Sequence, residues 1–397
     1  MKKKASTKKE KQNCRDSAPT IVSTPVSKKK TGQELKIEKS FIEVVQLIEK
    51  SKQKTYQAIN TALIDLYWQV GQYISQKLQT AEWGEGVVDE LACYIAKTQS
   101  NLRGFSRRGL FRMKQFYETY HNDNTLSSKG MKEKQIVSTV LTQLSWSHNL
   151  LIMAQCKRPE EREFYLRLAS QERWSVRELQ RQIKSAHFER AVLNPLKTSE
   201  ALKKAHPEVE TIFKDSYLFE FLGLPVEHSE ADLHAGLLRH LGRFLTELGR
   251  DFCFIGSEYP LQVGNQDFAI DLLFFHRGLS CLVAIELKAG RFEPEYLGKL
   301  EFYLEALDRD VRKPHERPSI GVLLCATKDN QVVEYALNRS LSPTLITEYQ
   351  SILPDKKLFQ AKLEEYYQLL APSDTKSEEK KQPIEKNRKK KGSNHDR

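Results

Sequence analysis

The sequence predicts an all-α region followed by an α/β domain with a mixed sheet, flanked by basic tails. Three observations carry this. Apolar residues recur at helical spacing through the first half of the chain. From about residue 250 they give way to short β-forming runs separated by turn residues. The positive charge is concentrated at the two ends. At ~100–200 residues per domain, 397 residues allow two domains or three.

Residues 1–33 are Lys, Ser, Thr and Pro with few large apolar groups. They bury too little to offset ordering entropy, so a disordered basic tail is expected. Residues 34–192 read as helical. Leu63, Leu66, Tyr67, Val70 and Ile74 follow helical spacing, as do Val88, Leu91, Ala92 and Ile95. All four tryptophans (68, 83, 146, 174) lie here, and Ser175 stands as the cap of a helix opening at Val176. Residues 106–120 form a helix with Leu110, Met113, Tyr117 and Tyr120 on one face and Arg108, Arg112, Gln115 and Thr119 on the other. Such a basic outer face suits a helix-turn-helix-like recognition element, or is simply a solvated face. Residues 193–210, with Pro195 and Pro207, read as a linker.

The α/β domain occupies 211–372. Ser229 and Asp232 make a capping box for a helix to about Leu248, with Leu233, Leu237, Leu238, Leu241 and Leu245 inward. Strands follow at 252–263, 267–275 and 281–289, with turn residues at 264–266 and 277–278. A helix from about Pro294 has Leu297, Leu300, Leu304, Leu307 and Val311 on one face. A strand at 319–326, a short helix, a strand near 344–348 and a helix near 356–370 complete the domain. The order is αβββαβ, a three-layer plan. Residues 373–397 form a second disordered basic tail.

Of the net charge of +11, residues 1–30 carry +8 and residues 373–397 carry +4, which leaves −1 for the body. That excludes a histone-like globule. The longest stretch without Asp, Glu, Lys or Arg, residues 135–156, holds ten Ser, Thr, Gln, His or Asn and will not span a bilayer. The first thirty residues carry no apolar segment of secretory type. Six scattered cysteines without a C-x-x-C pair point to reduced thiols in a cytoplasmic protein, including one held at the nucleoid. The lysine runs also suit phosphate backbones or a nuclear localisation signal. His148, with no second ligand nearby, reads as a satisfied core histidine.

The chemistry lies in the two middle strands. Asp271 is the only charge in 268–275, and Glu286 and Lys288 are the only charges in 281–289. Runs apolar on both faces are covered strands, where a charge must be paired or bound to metal. A hairpin turning between Gly278 and Leu279 sets Asp271 opposite Glu286, while Lys288 shares the face of Glu286. Two carboxylates that close repel unless a cation lies between them. Two acids without histidine suit Mg²⁺, with Mn²⁺ as an alternative, and Lys288 beside them can position water and meet phosphate charge. A buried structural cluster, with Lys288 bridging the acids, stands as the other reading.

The Asp271/Glu286-x-Lys288 pattern within the αβββαβ order resembles the PD-(D/E)xK nuclease superfamily, that is, a restriction-endonuclease-like fold; Ile270 replaces the proline of that signature. The segment 267–274, Val283-Ala284-Ile285-Glu286-Leu287-Lys288 and Pro318-Ser319-Ile320-Gly321 resemble the C-terminal domain of YhcG-type nucleases. Gly104-Phe105-Ser106-Arg107-Arg108-Gly109-Leu110, Leu144-Ser145-Trp146-Ser147-His148 and residues 172–179 resemble their helical N-terminal domain. The resemblance implies a Mg²⁺-dependent nuclease. Asp271, Glu286 and the Leu287 carbonyl would hold the metal, Lys288 would be catalytic, and Glu230 would match the acid of the first helix unless it merely complements the helix dipole. Lys299, where this family would carry Gln, could contact phosphate; Tyr296 is a packing residue or a backbone contact. The implied partner is nucleic acid, DNA foremost, with no membrane and with room for a homo-oligomer. The alternative is a non-catalytic nucleic-acid-binding or accessory protein of a DNA-processing or defence system.

Overall fold

The computed structural model describes residues 32–84, 86–121 and 140–370. The expectations for the two tails lie outside them. The chain divides into residues 1–59 and 60–397. Within the first, the described part is the beginning of helix α1 (Gly32–Gln79), with Phe41, Val44, Val45, Leu47 and Ile48 exposed.

The second unit opens with the rest of α1, then α2 (Val87–Thr98), α3 (Arg107–His121), α4 (Trp146–Gln155), α5 (Pro159–Gln171), α6 (Val176–Lys184) and α7 (His187–Leu193). Their common core includes Ile64, Tyr67, Ile74, Leu110, Met113, Phe116, Ile152, Tyr165 and Leu179. The inward stripe of α1 differs from the expected one: Leu63 and Leu66 are 36% and 43% exposed. The reason is Gly71, where a Cβ would lie 2.1 Å from the Met113 carbonyl oxygen. α3 therefore approaches along the line of Ile64, Tyr67, Gly71 and Ile74, one residue away from the leucines. Ser175 caps α6, its Oγ accepting from the Glu178 N–H at 3.1 Å. His148 is a core histidine: its Nε2–H donates to the Trp174 carbonyl at 2.9 Å, its Nδ1 meets the Ser145 hydroxyl at 2.7 Å, and burial lowers its pKa.

The α/β part contains α8 (Glu200–Ala205), β1 (Ser216–Leu218), α9 (Glu230–Arg239), α10 (Leu241–Leu248), β2 (Phe252–Val263), β3 (Gln266–His276), β4 (Cys281–Arg291), α11 (Tyr296–Ala306), β5 (Ile320–Thr327), α12 (Asn330–Asn338), β6 (Thr344–Gln350) and α13 (Lys356–Leu370). The sheet order is β1-β6-β5-β4-β3-β2. β2, β3 and β4 form an antiparallel meander, and β4, β5, β6 and β1 run parallel. Leu233, Leu237, Phe244 and Leu248 of α9 and α10 cover one face, against Val283, Ile285 and Leu287 of β4. Leu297, Leu300 and Leu304 of α11 cover the other, against Leu282 and Ala284. This is the αβββαβ core in three layers.

Four features depart from the expected layout. Residues 193–210, expected as a linker, carry α8 and pack into the α/β part, with Leu202 and Val209 buried in its core because Ser199 and Thr198 tie the segment to β6. The helix expected over 229–248 breaks at His240 (φ −110°, ψ 30°), so Phe244 and Leu248 are buried while Leu238, Leu241 and Leu245 are only partly covered. β1 is an additional edge strand paired with β6. The last helix, α13, packs on the helical region: Leu363 joins that core and Lys356 pairs with Glu161 at 3.2 Å. The helical and α/β parts are further tied by Arg181 of α6, which binds Glu220 at 2.6 Å and the fully buried Glu247 of α10 at 2.7 Å.

Candidate nuclease site

The β3–β4 ladder pairs His276 with Cys281 through Leu272 with Ile285, so the next step of the register sets Asp271 against Glu286. There the hairpin ladder ends, and the Asp271 carboxylate replaces it: Oδ2 accepts from the Leu287 N–H at 2.8 Å. The Asp271 carbonyl accepts from His234 Nε2–H on α9 at 3.1 Å. Asp271 is thus fixed from both sides, and half-buried.

Side chains alternate along β4, so Glu286 and Lys288 lie on the α11 side with Leu282 and Ala284. The Glu286 side chain is 1% exposed. Its Oε1 accepts from Lys288 Nζ at 3.3 Å and from Lys299 Nζ, on α11, at 2.6 Å. Its Oε2 is buried with no hydrogen-bond partner. Burial, and then the Asp271 charge, raise the Glu286 pKa, and the two ammoniums only partly offset them.

Lys288 stands between Glu286 and Glu230, whose Oε2 lies 3.1 Å from Nζ. It also lies over the Tyr296 ring, 5.3 Å from the centroid. Burial pushes its pKa down, but Glu230 and Glu286 outweigh this and the net direction is up, so Lys288 is an ammonium at neutral pH. Lys299 follows the same balance through Glu286. Glu230 is half exposed in the first turn of α9, which Ser229 and Asp232 cap reciprocally at 3.1 Å each.

The structure therefore brings together Asp271, Glu286, Leu287, Lys288, Glu230 and Lys299. Tyr296 is a platform for Lys288. Arg108 and Arg112 sit elsewhere, on the outer face of α3, the first exposed and the second half-buried. Sequence reasoning missed His234; nothing in its local pattern marks it, because the contact is made by packing α9 on β3.

A divalent metal fits this donor set. Among the described residues no three His, Cys, Asp or Glu side chains cluster as a ligand group. Glu230 is turned to Lys288, which leaves two carboxylates, a number that suits Mg²⁺ with water and phosphate completing its shell. The unpartnered Oε2 of Glu286 is the atom such an ion would satisfy.

Similarity to known proteins follows the same division of the chain. Residues 210–364 match the model of the YhcG PDDEXK nuclease domain, and residues 43–190 match that of the DUF1016 N-terminal domain. The chain is 30% identical over 359 residues to "Putative nuclease YhcG" of Escherichia coli (strain K12), covering 82% of this chain and 94% of that protein. A repair endonuclease from Pyrococcus abyssi aligns with 32% of this chain and 48% of its own, at 15% identity and a TM-score of 0.22.

Proposed function

This chain belongs to the YhcG family, a DUF1016 N-terminal domain ahead of a PDDEXK nuclease domain, and on that premise we propose that it is a Mg²⁺-dependent nuclease that hydrolyses phosphodiester bonds in DNA. The observation that carries the reading is Glu286: a buried carboxylate beside Asp271, with one oxygen held by two lysines and the other without a partner. Buried carboxylate oxygens are usually hydrogen-bonded, so a bare Oε2 beside a second carboxylate is a place for a cation.

Asp271, Glu286 and the Leu287 carbonyl would hold Mg²⁺ or Mn²⁺. Bound there, the ion would polarise the phosphate and lower the pKa of water. Lys288 is already protonated, so it serves as a donor and not as a base. It orients the attacking water and meets the negative charge that develops on phosphorus-bound oxygens. Glu230 holds Lys288 in place from the α9 side. Lys299, about half exposed, is free to turn from Glu286 to a phosphate. Water attack at phosphorus breaks the bond to the 3′ oxygen, which takes up a proton and leaves a 5′-phosphate on the other product.

Arg108 and Arg112 on α3 are read as the DNA-facing side of the helical domain (34–192), joined through 193–210 to the nuclease domain (211–372). No helix among the described residues is long and apolar enough to cross a membrane. The cysteines among them are free thiols, which supports a cytoplasmic enzyme. Linear, nicked, branched and single-stranded substrates, each with Mg²⁺ and with EDTA, test the reading. Cleavage of at least one form with Mg²⁺ alone is expected; intact substrates throughout would refute it.

A further inference from the structure

A cavity of about 490 Å³ lies where α5, the turn after it and α7 meet the α/β part. It is remote from the nuclease site: it reaches Leu248 and Gly249, ahead of Phe252, which pairs with His276. Asp271 lies five residues further along β3, roughly 17 Å at ~3.3 Å per residue. The volume falls in the usual range for a small-molecule site, about 300–1,000 Å³. Phe164, Trp174 and Phe213 supply flat apolar walls.

The cations around it are paired, with one exception. Lys214 pairs with Glu247 at 3.2 Å, Arg167 with Glu163 at 2.5 Å, and Asp215 with Lys328. Glu172 accepts the Arg250 N–H, and Glu210 is exposed to solvent. Arg190 is 4% exposed and has no carboxylate partner. Its Nε and Nη1 donate only to the Ser185 and Ser216 carbonyls, both at 3.1 Å, and Nη2 donates to nothing. The nearby Glu247 carboxylate is taken by Arg181, Lys214 and the Leu218 N–H. A buried guanidinium without a counter-charge is costly, and an anion in the cavity relieves it.

His187 adds a second requirement. Its Nδ1 is 2.8 Å from Gln182 Oε1, an acceptor whose orientation is fixed because Gln182 Nε2 donates to Glu178 and Glu247. The proton is therefore on Nδ1, and Nε2 is left as an acceptor. Burial keeps this ring neutral.

We propose that this cavity is a ligand site, separate from the nuclease centre, for a small molecule with a flat aromatic ring bearing an N–H donor and one anionic group. The ring lies among Phe164, Trp174 and Phe213, the donor meets His187, and the anion meets Arg190. A nucleoside monophosphate and an indole carboxylate share this chemistry. The assignment does not rest on the nuclease reading.

Trp174 lines the cavity, so its fluorescence reports occupancy. The full-length protein is titrated with AMP, indole-3-acetate, adenosine and inorganic phosphate, with calorimetry in parallel. Saturable binding of AMP or indole-3-acetate, with the other two weaker, is expected; which of the pair binds identifies the source of the ligand. Arg190→Gln should weaken the anion by about tenfold or more, the scale of a lost charged hydrogen bond, and leave adenosine unchanged. Ala191→Phe, at an exposed lining position, should block all binding without touching Arg190, and stands as the test if Arg190→Gln does not fold. Absence of binding by both ring-bearing anions at millimolar concentration overturns the proposal. So does phosphate binding as tightly as AMP, or binding that survives Ala191→Phe.

Discussion

Glu286 is where the physical demands on this fold conflict. Its carboxylate is buried, faces Asp271 and is held by two ammoniums, yet its pKa remains above the ordinary range. On the proposed reading a metal binds the ionised form, so proton and metal compete, and this group would set the acid limb of Mg²⁺-dependent cleavage. Lys299 pulls the Glu286 pKa down. Lys299→Gln should therefore move the acid limb to higher pH, read from a pH–rate profile; an unchanged or lower limb would contradict the ion pair. The acids and Lys288 were legible in the sequence because strand pairing has a fixed arithmetic: one turn position sets Asp271 against Glu286 and two-residue alternation sets Lys288 on the same side. Lys299 and His234 were not legible as partners of Glu286 and Asp271. Those pairings depend on how α11 and α9 lie across the sheet, and no spacing along the chain encodes that.

The elements that present these residues are fixed by close approaches and buried charges. α11 lies near β5 because Gly321 has no side chain; a Cβ there would meet Leu300 at 2.9 Å and Leu304 at 3.0 Å. Gly321→Val should cost about 1–3 kcal/mol by overpacking, measured by urea denaturation. α10 is held by Glu247. Burial alone would raise its pKa, but Lys214 and Arg181 outweigh burial and bring it down to about 2. A lowered folded-state pKa stabilises above the unfolded value, ~4.3, and the stabilisation disappears as pH falls through the folded value. Glu247→Gln leaves Lys214 without its carboxylate, while Arg181 keeps Glu220 and Glu178, and should cost about 3–5 kcal/mol at pH 7. The gap from wild type should narrow as pH falls from 4.5 toward 2; a constant gap would mean that the loss is packing alone. The sequence missed the break at His240 because leucines continue on both sides of it, and β1 because three residues carry no periodicity.

Taken whole, a body of net −1 would need positive charge from elsewhere to meet the polyanion of the proposed reaction. The tails, with +8 and +4, and the α3 face with Arg108 and Arg112 are the two sources. Removing residues 1–30 and 373–397 should weaken binding equally for all sequences. It should also flatten the salt dependence by roughly 0.9 in log K per log[salt] for each phosphate that the tails neutralise. Arg108→Ala with Arg112→Ala should instead erase sequence preference, worth ~1–3 kcal/mol per bidentate arginine–guanine pair, and keep most of the salt slope. Filter binding at several salt concentrations separates the two. The overall order of elements was legible because the change from helical to two-residue spacing is abrupt. The docking of α13 on the helical core and the cavity beside Arg190 were not, since both arise between parts distant in sequence.

The central claim is that Asp271 and Glu286 hold a metal that Lys288 exploits without holding. Its most direct test pairs Mg²⁺ titration by calorimetry with single-turnover DNA cleavage, for wild type, Asp271→Ala, Glu286→Ala and Lys288→Ala. The two acid variants should lose both metal binding and cleavage. Lys288→Ala should lose cleavage by about a hundredfold or more while its Mg²⁺ affinity stays within a few-fold, as expected for removal of transition-state charge stabilisation. Wild-type cleavage that persists in Glu286→Ala, or metal binding lost in Lys288→Ala as fully as in Asp271→Ala, would contradict it.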